Sequence, residues 1–271
     1  MLTSPIRTRA VRNFFLKMKP LIEICVDTLD GAKNAARGGA SRIELCSSLS
    51  EGGVTPSLGL VELALSSVRI PIHVMVRPRA GDFVYSREEF SSMERDIEHF
   101  KRAGVHGVVL GLLTRGREVD TDRTRQLVQR ARPMSVTFHR AFDDSADLER
   151  SLEKVIASGA HMLLTSGGEV SLGLGAKQVA RLVQLAGDRI EIMGGAGVTI
   201  ETAAALWQAT HTAAIHASLR RAVIASSMQP RSNAATGVPS MHADAEFALF
   251  EEDVRALVES FPDGLPSLAR P

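Results

Sequence analysis

Residues 21–53 read LIEICVDTLDGAKNAARGGASRIELCSSLSEGG, and within them Ile22-Glu23-Ile24-Cys25 and Ile43-Glu44-Leu45-Cys46 are near copies. They hold the only two cysteines of the chain. Side chains alternate across an extended strand, so Glu23 shares a face with Cys25, and Glu44 shares one with Cys46. Between the copies, residues 28–37 begin with a capping threonine, continue through alanine-rich helix formers and stop at Gly38-Gly39. The stretch is a strand, helix, strand unit whose two strands each aim an acid and a soft sulfur at one space.

The same alternation runs outward from it. Apolar strands are expected at 72–77, 107–111, 134–139, 161–165, 190–193 and 213–217. Helical patterns separate them: one begun by Thr55-Pro56, one opened by the capping box at Ser86 and Glu89, and others at 120–130, 148–157, 176–186 and 200–210. Gly39, Gly104 and Gly159 each end a helix and drop directly into a strand, whereas the connections that leave the strands are longer and glycine-rich. Short entries and long exits suit a (β/α)₈ barrel, whose functional loops follow the strands. The expected fold is therefore α/β, a single TIM-type barrel over residues 20–271. An irregular loop at 226–241 and a final helix at 246–261 complete it.

Residues 1–19 stand apart, with Arg7, Arg9, Arg12, Lys17 and Lys19 and no acid. They are read as a basic extension, disordered, before the barrel. Over the whole chain 32 Lys and Arg meet 31 Asp and Glu, a net charge of +1 that gives nucleic acid no electrostatic footing. No apolar run is long enough to cross a bilayer. Two cysteines without a signal peptide point to a reduced, cytoplasmic setting with free thiols.

Six segments resemble the CutC family, usually called copper homeostasis proteins: LIEICVDTLDGA, SRIELCSSLSEGGVTPS, IPIHVMVRPRAGDFVYS, MSVTFHRAFDD, LLTSGGE and IHAS. They spread from Leu21 to about Ser218 and cover most of the chain. The resemblance implies a TIM-type barrel, a cytoplasmic location and Cu(I) binding through Cys25 and Cys46. Two departures are the basic extension before Pro20 and a turn that reads Met193-Gly194-Gly195-Ala196-Gly197, without the proline of many family members.

Cu(I) is soft and prefers thiolate and thioether donors, with imidazole as a supplement. Neighbouring strands lie about 4.8 Å apart, so two sulfurs near one level could share an ion, and His73 and Met75 on a common face of the third strand could contribute. Two considerations oppose this. Strand cysteines usually serve as small core hydrophobes, and alternate rather than adjacent strands share a layer in this barrel.

The alternative is an enzyme acting on a small anionic metabolite that carries a phosphate or carboxylate. Polar residues cluster at the expected strand ends: Glu23, Glu44, His73, Arg77, His139, Arg140, Thr165, Ser166 and His216. His139 is the candidate acid or base, because imidazole titrates near neutral pH without a large shift, with Glu23 and Glu44 as the carboxylates. Arg77 and Arg140 would hold the anion, helped by the turns Ser166-Gly167-Gly168 and Gly194-Gly195. Glu23 or Glu44 paired with an arginine across the lumen is the purely structural reading, since charges inside a barrel demand partners. The loop from Arg79 to Ser86, with Asp82 and Tyr85, reads as a lid or a contact in a homo-oligomer, a dimer or tetramer. His99, His106, His161, His211 and His242 read as surface or structural residues.

Overall fold

The computed structural model describes residues 19–223 and 246–262. Eight parallel strands close into a barrel in chain order: β1 (Leu21–Val26), β2 (Arg42–Leu45), β3 (Ile72–Met75), β4 (Gly107–Leu110), β5 (Ser135–Phe138), β6 (Met162–Thr165), β7 (Glu191–Gly194) and β8 (Ala214–Ala217). The seam joins β8 to β1, with Glu23 opposite His216. Helices α1 (Leu29–Arg37), α2 (Leu58–Ser67), α3 (Arg87–Ala103), α4 (Thr121–Ala131), α5 (Leu148–Ser158), α6 (Leu172–Ala186) and α7 (Ala203–Thr210) follow the first seven strands. The expected barrel is the observed one.

Local chemistry sets these boundaries. Thr28 caps α1 by accepting from the Gly31 amide, and Ser86 and Glu89 cap α3 reciprocally. Gly104 and Gly159 end α3 and α5 in the left-handed region, at φ 84° and 85°, before the chain re-enters the sheet. Helix α6 starts at Leu172, four residues earlier than its alanine-rich part suggests, because Ser171 caps it. Its Gly175 is required by close approach, since a Cβ there would sit 1.8 Å from the Ser166 carbonyl oxygen.

The stretch expected as one helix at 246–261 divides. Strand β10 (Glu246–Ala248) pairs antiparallel with β9 (Arg221–Val223), and only then does α8 (Glu251–Ser260) begin. Glu251, Glu252 and Asp253 fix that start, because three acids suit the positive end of a helix. Helix α8 packs on α1 so closely that a Cβ on Gly38 would meet the Val254 Cβ at 2.5 Å. All of the basic extension but Lys19, and the loop at 226–241, lie outside the described residues. Among the described residues no helix is long and apolar enough to cross a membrane.

The apolar side chains form separate layers. Ile22, Ile24, Val26, Ile43 and Leu45 belong to the large core between sheet and helices. The alternate positions point inward. Leu21, Met162, Leu164, Met193 and Ala214 form one luminal cluster, and Cys25, Cys46, Met75 and Val109 form a second. Charged groups occupy the space between these two plugs.

Candidate functional site

The strand register places the inward residues of β1, β2, β3 and β8 together. Glu23 lies opposite Arg42 and Cys25 opposite Glu44, and Glu44 lies opposite His73. The Glu23 carboxylate accepts from Arg42 Nε at 2.6 Å and from His216 Nδ1 at 2.8 Å. Arg42 also reaches the Met162 and Met193 sulfurs, at 3.2 and 3.7 Å. Burial by itself would raise the Glu23 carboxyl, but the Arg42 charge, together with the His216 hydrogen bond and charge, outweighs it and holds it at about 2. The arginine partner expected for a luminal acid is thus Arg42, two residues before Glu44 on the same strand face.

Glu44 has no such partner. Its Oε2 is 3.9 Å from His216 Nε2, and its buried Oε1 makes no hydrogen bond. Burial raises its carboxyl, with the nearby Glu23 charge pushing the same way against His216. His216 is itself raised: burial works against its charged form, and the Glu44 charge and the Glu23 hydrogen bond prevail.

The two thiols touch. Cys25 Sγ and Cys46 Sγ are 3.4 Å apart, and both side chains are buried. The layer rule that opposed a close pair fails here for a geometric reason. Cys46 lies two residues beyond Glu44, the register partner of Cys25, so the sulfurs meet on a diagonal between levels. Their mutual hydrogen bond, burial and the Glu44 charge push the Cys25 thiol well up. Cys46 is raised too, the hydrogen bond from Cys25 lowering it and burial and Glu44 more than offsetting that. Cys25, Glu44 and Cys46 each offer a donor atom within 4.8 Å of the other two, a group able to hold a metal ion.

Arg77 roofs this cluster. Its Nη1 donates to the Glu51 and Gly53 carbonyls, each at 2.8 Å, and its Nη2 donates to Gly81 at 2.9 Å. Gly53, at φ +84°, covers Cys46 so closely that a Cβ would approach its sulfur to 3.3 Å. The residue expected to anchor an anion thus binds chain carbonyls and pins the loop over the thiols. Arg79 is likewise engaged, with Asp82 and Glu89, inside the loop expected as a lid or oligomer contact.

The His139 ring lies 5.1 Å from that of Phe83, over which Arg77 also lies. Its Nδ1 accepts from the Ala141 amide at 3.0 Å, and its buried Nε2 has no partner. Burial and then the Arg77 charge push it down to about 3. The premise that it titrates near neutrality does not hold in this environment. His73 is similar, pushed down to about 4, chiefly by burial, with its ring against Gly107.

The turn Ser166-Gly167-Gly168 already holds an anion of the chain. Asp143 accepts from the Ser166 and Gly168 amides at 3.0 Å, from Ser166 Oγ at 2.9 Å and from Arg140 Nε at 2.8 Å. Thr165 Oγ1 donates to the same carboxylate at 2.5 Å. Gly194 and Gly195 serve packing: a Cβ on Gly195 would press Leu164 at 2.7 Å and the His216 Cβ at 3.1 Å. His106 and His161 are structural, as read, each accepting a backbone amide across the strand entries.

A closed parallel (β/α)₈ barrel with buried sulfur, carboxylate and imidazole donors in its lumen defines the class. The chain belongs to the CutC family, whose model matches residues 20–221. A CutC family protein from Chromobacterium violaceum is 43% identical over 243 residues, 90% of this chain and 98% of that protein. The human copper homeostasis protein cutC homolog is 43% identical over 200 residues, 74% of this chain and 73% of that protein. The crystal structure of CutC from Streptococcus agalactiae, 34% identical, superimposes with a TM-score of 0.69 over 73% of this chain and 98% of that one.

Proposed function

We propose that this barrel is a cytoplasmic protein of copper homeostasis that holds Cu(I) between Cys25 and Cys46. The observation that carries the reading is the 3.4 Å contact between the two sulfurs. Thiolates are the donors a soft monovalent ion prefers, and the Met75 thioether lies in the same luminal cluster. The copper homeostasis names of the human and streptococcal relatives point the same way, and the two free cysteines suit a reducing compartment.

Both thiols are raised, so binding releases protons and strengthens as pH rises. Both sulfurs are also buried, so loading requires the loop at 47–54, held by Arg77, to lift from Cys46. An enzyme for a small anion is the less favoured reading, because the donors it would use, Arg77, Arg140 and the Ser166 turn, already engage groups of the chain.

The test is an anaerobic Cu(I) titration of the reduced protein against a competing chelator. The wild type should take one ion, and Cys25→Ser with Cys46→Ser should lose it. Equal retention of copper by the double variant would sink the reading.

A further inference from the structure

Arg77 is a buried cation without a counter-ion. Its Nη atoms donate to the Glu51, Gly53 and Gly81 carbonyls, and among the described residues no carboxylate pairs with it. Asp82 and Glu89, the acids of the same loop and of the helix it enters, are taken by Arg79. Arg42, the other buried arginine among the described residues, has Glu23 at 2.6 Å. Carbonyl dipoles solvate a guanidinium but do not cancel its charge, and a buried charge is costly until a partner does.

The same side chain keeps one donor free. Arg77 Nε is buried and makes no hydrogen bond, and the same holds for Tyr85 Oη and His139 Nε2. All three residues are at most 5% exposed. Buried polar atoms without a partner are rare, and these three gather around one aromatic ring. Arg77 Cζ and the His139 ring each lie 5.1 Å from the centroid of Phe83, and Tyr85 follows Phe83 by two residues in the loop. The Arg77 charge reaches both neighbours. It works against the burial that pushes the Tyr85 hydroxyl up to about 12, and it adds to the burial that holds His139 down.

Each free atom is a donor. His139 Nδ1 accepts from the Ala141 amide at 3.0 Å, so the proton of the neutral ring sits on Nε2. Arg77 Nε carries a proton and no lone pair to offer, and the Tyr85 hydroxyl is free to donate. The loop that carries Phe83 and Tyr85 is fixed: the Leu113 amide donates to the Phe83 carbonyl at 2.9 Å, and Arg123 Nη1 donates to the Tyr85 carbonyl at 2.8 Å. The donors are therefore in place before any ligand arrives.

Charge and shape select the acceptor. With His139 and Tyr85 neutral, Arg77 is the one charge among the three, so a monoanion balances it and a phosphate dianion overshoots it. An ionised carboxylate accepts at about four lone-pair positions on two oxygens, enough for three donors. Phe83, only partly buried, offers an apolar face to the rest of such a molecule. Arg77 follows β3 and His139 follows β5, at the strand ends where this fold binds ligands.

We propose that Arg77 Nε, Tyr85 Oη and His139 Nε2 form a binding site for a small monocarboxylate, with Phe83 as its apolar wall. It differs from the anion site read from the sequence, because Arg140 and the Ser166 turn are taken by Asp143. It also draws nothing from the thiolate pair, so either assignment stands or falls alone.

The test is calorimetric titration of the full chain, at neutral pH and constant ionic strength, with acetate, pyruvate, benzoate and inorganic phosphate in turn. The wild type should bind at least one of the three carboxylates saturably and phosphate more weakly. Tyr85→Phe keeps the ring and loses one donor, whereas Arg77→Lys keeps the charge and loses Nε. Each should weaken carboxylate binding about 10-fold or more, the usual cost of one hydrogen bond to a charged group. Tyr85→Phe carries the comparison alone if Arg77→Lys does not fold. Absence of saturable carboxylate binding in the wild type overturns the proposal, and the three donors then hold only water. Unchanged carboxylate affinity in Tyr85→Phe overturns it too, as does phosphate bound more tightly than every carboxylate.

Discussion

Asp143 fills the glycine turn that follows β6, and Ser166 alone gives its Oδ2 two hydrogen bonds, from the backbone amide at 3.0 Å and from Oγ at 2.9 Å. A nest of amide donors with a hydroxyl and a guanidinium around it is a general anion site. Here the anion is covalently part of the chain. Asp143→Ala should therefore cost about 2–4 kcal/mol, because it leaves several buried donors unpaired. It should also create a site for a free anion. In thermal unfolding, inorganic phosphate should raise the Tm of Asp143→Ala and leave the wild type unmoved. Equal responses of the two proteins would show that the turn does not hold its carboxylate as an anion.

The sulfur pair leads to a prediction about oxidation. Cys46 lies two residues beyond the register partner of Cys25 on the parallel strand next to it, and with strands about 4.8 Å apart and a rise of about 3.3 Å per residue this offset separates their Cα atoms by about 8 Å. A disulfide usually needs Cα atoms within about 6.8 Å, so closing one requires the two strands to move. The thiols should stay reduced under a mild glutathione redox buffer that oxidises well-placed pairs, and both should react with a thiol reagent after denaturation. A disulfide at Cys25 and Cys46 in mass spectrometry of the gently oxidised native protein would contradict this.

The ion pair beneath the thiols ties stability to the site. Arg42 is 6% exposed and Glu23 0%, so removing either charge strands the other in the lumen. Glu23→Gln should lose about 3–5 kcal/mol in urea unfolding. Adding Arg42→Met, which restores an apolar stem beside Met162 and Met193, should recover part of that loss. Single variants that cost under about 1 kcal/mol and add independently would mean that the pair is not coupled.

These relationships differ in how far the chain order exposes them. Period-two alternation put Glu23 with Cys25 and Glu44 with Cys46, and helix-end glycines such as Gly104 and Gly159 marked where strands begin. Both signals are local, so the barrel and the luminal face were legible. Arg42 also shares the face of Glu44 by simple alternation, a signal that was available and missed. His216 reaches Glu23 only when the barrel closes, 193 residues away in sequence. Asp143 meets Ser166 across 23 residues and two elements. The sulfur contact depends on a strand register that puts Cys25 beside Glu44, and neither copy of the motif encodes that offset alone.

The two neutral histidines give the pH dependence of folding a definite sign. His139 is pushed down to about 3 and His73 to about 4, chiefly by burial, from an ordinary 6.5. Above pH 6.5 both are neutral folded or unfolded, so neither costs stability. As pH falls below 6.5 the unfolded chain takes up protons that the folded one refuses, and each histidine removes about 1.4 kcal/mol per pH unit. Glu44, whose carboxyl is raised, works in the opposite direction just above its ordinary 4.5, so the total slope is not diagnostic. A comparison with His139→Gln is, because glutamine can still accept from the Ala141 amide and cannot titrate. The stability advantage of the wild type over His139→Gln should shrink by about 1.4 kcal/mol per unit as pH falls from 6.5 toward 5 in urea unfolding. A difference that stays constant across that range would mean that His139 is protonated, or exposed, in the folded protein.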